Sequence, residues 1–73
     1  MNIVQFEDGK YAVMRERKVL FFFAKNEFAD VDGHWVDLDS AAQYTINQYV
    51  KVDTLEQAQN RRTRISKNFQ VIE

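Results

Sequence analysis

Few residues in this chain have side chains able to carry chemistry. It holds one histidine, His34, two serines, Ser40 and Ser66, and no cysteine. A nucleophile needs a base in hydrogen-bond reach and a third group to orient that base. Neither serine stands near His34 in the sequence, although distance along the chain does not exclude a meeting in space. A metal centre asks for several convergent ligands, and His34, just after an Asp-Gly turn, reads more simply as an exposed strand residue. Five carboxylates, Glu27, Asp30, Asp32, Asp37 and Asp39, gather over thirteen positions. A calcium loop beginning at Glu27 or Asp30 would want glycine at its sixth position and glutamate at its twelfth, and neither start supplies them. The plain reading is a solvated hairpin whose aspartates serve turns. The sharper one is an acidic surface that docks on a basic protein patch or imitates nucleic-acid phosphate.

Arg61, Arg62, Arg64 and Lys67 form the opposite cluster. At the end of a helix such cations interact favourably with the negative end of its dipole, each by less than about 1 kcal/mol when exposed. The alternative is contact with phosphates or with an acidic partner. Arg62 falls within the apolar stripe of the expected helix, so it either snorkels past the sheet or faces a partner. Arg15, Arg17 and Lys18 either join that surface or form a solvated loop.

The elements that must position these groups come from a chain of 73 residues, 45% hydrophobic and 29% charged. That is one ordinary globular domain, 1–73, with a single modest core. Without cysteine there is neither a disulfide framework nor a thiolate site, and stability must come from packing. A net charge of −1 gives no bulk electrostatic case for nucleic acid or an anionic membrane. The first eight residues lack the basic and apolar regions of a signal peptide, and no apolar run approaches the roughly 18 residues of a membrane span. These features predict a cytoplasmic protein.

The organising stretch is Val19-Leu20-Phe21-Phe22-Phe23-Ala24, uncharged and rich in aromatic residues, and it is expected to be a central strand. Asn2–Phe6 and Lys10–Met14 flank Asp8-Gly9, which predicts a two-residue type I′ hairpin with Val4 opposite Val13 and Phe6 opposite Tyr11. Arg15–Lys18 is then a four-residue loop, placing Leu20 and Phe22 beside Val13 and Tyr11. A second Asp-Gly, Asp32-Gly33, predicts another hairpin, with Phe28 opposite Asp37. Asp37–Ala42 is a loop or one helical turn capped by Asp39 or Ser40, and Gln43–Val52 reads as a strand. Asp53 with Glu56, or Thr54 with Gln57, has capping-box spacing. The amphipathic helix that follows carries Leu55, Ala58, Ile65 and Phe69 on one stripe. Phe69–Ile72 is a short closing strand or an ordered tail. The expected fold is α+β, an antiparallel meander of four or five strands with one C-terminal helix packed on one face.

One helix covers one face. In this register Ile3, Ala12, Met14, Val19, Phe21 and Phe23 point to the other, so either Leu38–Ile46 folds over them or they form a docking surface. Trp35 is the plug of this second core or an interface anchor. The expected partner-binding residues are Phe21, Phe23, Phe28, Asp30 and Trp35. The expected contacts to nucleic acid or an acidic partner are Arg61, Arg62, Arg64 and Lys67.

Taken together, the hairpin ending Lys10-Tyr11-Ala12-Val13, the aromatic stretch, Phe28-Ala29-Asp30-Val31-Asp32-Gly33-His34-Trp35-Val36, and the run into Asp53-Thr54-Leu55-Glu56-Gln57-Ala58 resemble the small accessory proteins of bacteriophages. The length and the split of acidic and basic segments are similar to the small RNA-polymerase-binding regulators of the lytic Xanthomonas phage type. That resemblance implies a protein in the host cytoplasm that binds host RNA polymerase, displaces σ from promoter complexes and suppresses intrinsic termination close to nascent RNA. It implies no chemistry, cofactor, metal, membrane or small-molecule substrate. An anti-CRISPR or other antidefence inhibitor using the acidic hairpin is the rival reading, a small nucleic-acid-binding module the next.

Overall fold

A computed structural model describes residues 1–20, 23–37 and 39–68. Four strands, β1 (Asn2–Gln5), β2 (Tyr11–Leu20), β3 (Phe23–Ala29) and β4 (Trp35–Asp37), form one antiparallel sheet in the order β1-β2-β3-β4. A short helix α1 (Gln43–Thr45) runs into a π-helical turn, Ile46–Val50, and α2 (Leu55–Asn68) follows. The α+β meander with a C-terminal helix is as expected. The expectations for Phe21, Phe22, Leu38 and Phe69–Ile72 lie outside the described residues.

Both Asp-Gly turns are present, but each has three loop residues, not two. The Phe6 amide donates to the Lys10 carbonyl at 2.8 Å and the Gly9 amide to the Phe6 carbonyl at 3.0 Å. Asp30, Gly33 and His34 repeat this at 2.9 and 3.1 Å. Gly9 and Gly33 have φ of 87° and 86°, and no other described residue has positive φ. A type I′ turn needs two such residues, so each aspartate instead keeps ordinary backbone and its glycine forms the bulge of a three-residue loop. The aspartates brace the turns from their side chains: Asp8 Oδ1 accepts the Lys10 amide, and Asp30 Oδ1 accepts those of Asp32 and His34.

One extra loop residue slips the register by one and sends every side chain to the other face. Val4 therefore pairs with Ala12, not Val13, and Phe28 pairs with Val36, not Asp37. The expected shared face of Val4, Phe6, Tyr11 and Val13 is split: Val4 and Phe6 pack with Ala12, while Val13 packs on the opposite side.

Arg15–Lys18 is not a loop. It continues β2, with Arg15 opposite Glu27 and Arg17 opposite Lys25. Arg15 Nε donates to Glu27 Oε1 at 2.9 Å and Arg17 stands 3.8 Å from Oε2 on the diagonal, so this one carboxylate offsets two cations of the run, one of which faces Lys25. Gln43–Val52 is not a strand. Ile46 and Val50, which share one parity as strand residues, are also four apart, and as helix residues both are buried. Only Val52 keeps sheet character, exchanging backbone hydrogen bonds with Tyr11 at 2.9 and 2.8 Å. Before this segment, Asp37 holds the turn: Oδ1 accepts the Asp39 amide and its carbonyl the Ala41 amide, both at 2.9 Å.

The sheet is covered on both faces. On one, Ala12, Phe28, Ile46 and Val50 form a cluster with Val4, Phe6, Met14, Val36 and Ala41 packed against it, and Phe6 meets Phe28 edge-on at 5.5 Å. On the other, Val13, Ala29 and Ile65 are joined by Trp35. Of the residues expected on the second face, Ala12 and Met14 are covered by Ala41, Ile46 and Val50, Ile3 lies opposite Val13 on the α2 face, and Phe23 stays 63% exposed, so the middle segment covers that face only in part.

α2 opens on a capping box. Gln57 donates its amide to Thr54 Oγ1 at 3.2 Å, and its Oε1 accepts the amides of Thr54 and Asp53 at 3.0 and 2.9 Å. The buried stripe of α2 is Ala58, Arg61 and Ile65, spaced three and four apart. Leu55, expected in the stripe, is 46% exposed. The arginine inside it is therefore Arg61, not Arg62.

Candidate functional site

Arg61 is 7% exposed, and its Nη1 donates to the carbonyls of Val50 at 2.8 Å, Ala29 at 3.2 Å and Tyr49 at 3.5 Å. Those carbonyls belong to the π turn and to the end of β3, so one guanidinium ties three elements together. Burial pulls its pKa below the usual arginine value and Arg64 adds repulsion, with Asp30 opposing both. The expectation of Arg61 as a surface contact is corrected on this ground: the group is buried and its Nη1 is committed to backbone oxygens that would otherwise be unsatisfied.

The remaining basic residues separate around α2. At 100° per residue Arg62 and Arg64 lie 200° apart, on opposite flanks of the buried stripe. Arg62 lines an open hollow with Met1, Thr63, Ser66 and Lys67. Arg64 lines another with Val52, Gln57, Asn60 and Arg61. The contiguous run thus becomes an interior tie and two surface groups.

Among the expected partner-binding residues, Phe28 is corrected: it is 3% exposed and sits in the core. Phe21 is outside the described residues. Phe23 is 63% exposed on β3. Asp30 is half-buried and braces its turn. Trp35 is half-buried, with the Arg15 guanidinium 4.2 Å from its ring centroid and its Nε1 shielded from solvent without a partner among the described residues. It serves as a core plug with one face under an arginine.

From Glu16 on β2 and Asn26 on β3 outward, the described residues have only each other as strand partners, because β1 ends opposite Met14 and β4 opposite Glu27. Glu16, Arg17, Lys18, Phe23, Ala24, Lys25 and Asn26 are all exposed in this two-stranded ribbon. Tyr44 and Tyr49, exposed by 65% and 46%, form a second aromatic feature, their rings edge-on at 6.3 Å. Sequence reasoning missed them by reading Gln43–Val52 as a strand, with Tyr44 on the same parity as Ile46 and Val50. Their position five apart around Ile46 and Val50 was the available signal.

Asp30, Asp32 and His34 bring ligand-type atoms within 4.8 Å of one another. Asp30 Oδ1 already accepts two amides, which accounts for its position. Asp8 and Asp37, each beside a lysine, have pKa values lowered from 3.8: Asp8 chiefly by the bond from Lys51 Nζ at 2.8 Å, Asp37 chiefly by the Asp39 amide.

No family model, curated protein or solved structure matches this chain significantly. Among the described residues no helix is long and apolar enough to cross a membrane.

Proposed function

We propose that this chain is a small regulator that binds host RNA polymerase in the host cytoplasm, inhibiting initiation by σ displacement and suppressing intrinsic termination, with no chemistry of its own. The resemblance to phage accessory proteins names the partner. The observation that supports docking is the β2–β3 ribbon, which continues past both neighbouring strands and whose described side chains beyond Met14 and Phe28 join neither core cluster. An isolated two-stranded ribbon is marginal in water, and this one carries three cations, one carboxylate and an exposed phenylalanine. Such a composition suits an arm that lies against a larger protein surface. Phe23, Asp30 and Trp35, with Arg62, Arg64 and Lys67, remain the candidate contacts.

The test is affinity capture of the tagged protein from host lysate followed by transcription with purified polymerase. Retention of polymerase together with loss of promoter-dependent initiation and read-through of intrinsic terminators is expected. Retention of a nuclease complex instead would replace this reading with antidefence inhibition. Phe23→Ala with Lys18→Glu is expected to weaken capture without unfolding the protein.

A further inference from the structure

The hollow on the Arg62 flank of α2 has a composition of its own. Five of the ten lysines and arginines, Lys10, Arg15, Arg17, Lys25 and Lys51, stand in ion pairs, and Arg61 is bonded to carbonyls. Lys18, Arg62, Arg64 and Lys67 have no carboxylate partner among the described residues, and three of these four are on α2. In a chain of net charge −1 this is a local separation of charge. It is not a general excess of base.

Arg62, Ser66, Thr63 and Lys67 follow one another around about 140° of the helix at 100° per residue. Two cations therefore flank two hydroxyls, and all four line one open hollow of about 490 Å³ beside Met1. Hydroxyls and cations together donate hydrogen bonds and offer no carboxylate acceptor, which matches an oxyanion with several acceptor oxygens. Arginine adds a planar fork suited to two oxygens of one phosphate, lysine a mobile point charge.

We propose that this hollow binds a phosphate group, and that its source is the backbone of a single-stranded nucleic acid. The hollow is open and shallow, so it accommodates a strand passing across the helix without enclosing a base. Binding by two cations alone is weak, which fits an auxiliary contact. The inference does not depend on RNA polymerase being the partner.

The test is titration of the ¹⁵N-labelled full chain at low salt with inorganic phosphate, uridine monophosphate, a short oligouridylate and an oligoglutamate, following amide and arginine side-chain shifts. Shifts confined to Arg62, Thr63, Ser66 and Lys67, strongest with the oligouridylate, support the proposal. The logarithm of affinity should fall with that of salt at a slope of about −0.7, the value for one phosphate on a single strand. Arg62→Gln with Lys67→Gln should lower affinity about tenfold or more while the remaining amide spectrum stays native, and Arg64→Gln should change it less than about twofold. Equal binding of the three phosphate compounds would assign the hollow to free phosphate and overturn its nucleic-acid source. Equal binding of oligoglutamate, shifts elsewhere, or an unaffected double variant would overturn the phosphate site itself.

Discussion

Arg61 illustrates how a single side chain can change role between sequence and structure. A cation among other cations looks like surface, yet its long apolar stem lets it cross the stripe of α2 and deliver a charged donor to Val50 and Ala29. Arg61→Ala is expected to destabilise the fold by about 3 kcal/mol, because hydrogen bonds to a charged donor are lost and buried carbonyls are left bare. Arg61→Lys should recover only part of this, since an ammonium is more strongly hydrated and lacks the fork. Urea unfolding measures both, and an alanine variant as stable as the parent would remove Arg61 from the interior account. The sequence showed that an arginine enters the apolar stripe, but the stripe drawn through Leu55 and Phe69 chose Arg62. Only the contact of α2 with the π turn and the end of β3 selects its neighbour.

At the scale of the element, the two hairpins rest on one geometry used twice. Gly9 and Gly33 have positive φ, and a Cβ at either would meet nothing within 4 Å. The cost of replacement is therefore conformational: Gly9→Ala and Gly33→Ala should each destabilise by about 1 to 2 kcal/mol, and the asparagine variants by less. Urea midpoints decide this, and a neutral Gly33→Ala would refute the turn. The dipeptides announced turns, and the capping box of α2 was equally legible, since both depend on groups within four residues. Loop length was not, because Asp-Gly is compatible with two- and three-residue loops. The pairing of Phe28 with Val36, which keeps a phenylalanine away from Asp37, favours the longer one.

For the whole molecule, thin cover on both faces leaves little margin. Among the described residues the only large side chains with essentially no exposure are Val13 and Val50, and a 73-residue domain has only about 4 to 11 kcal/mol of stability to lose. Phe28→Ala should cost about 3 to 5 kcal/mol, a large share of that stability, and lower the melting temperature markedly. Phe23→Ala, on the exposed ribbon, should stay within about 0.5 kcal/mol of the parent. Circular dichroism with thermal melts separates the two, and a Phe28→Ala chain that melts like the parent would contradict the two-sided core.

The amino-acid order alone determined the fold class, two turns at Asp-Gly and a capped terminal helix, because propensity, turn chemistry and capping act between near neighbours. The three-dimensional structure decided the one-residue register, the helical state of Gln43–Val50, the burial of Arg61 and the roof over the second face. Each of those is a competition for apolar cover and for hydrogen-bond partners between segments far apart in the chain. Local pattern admits more than one winner, and packing picks one.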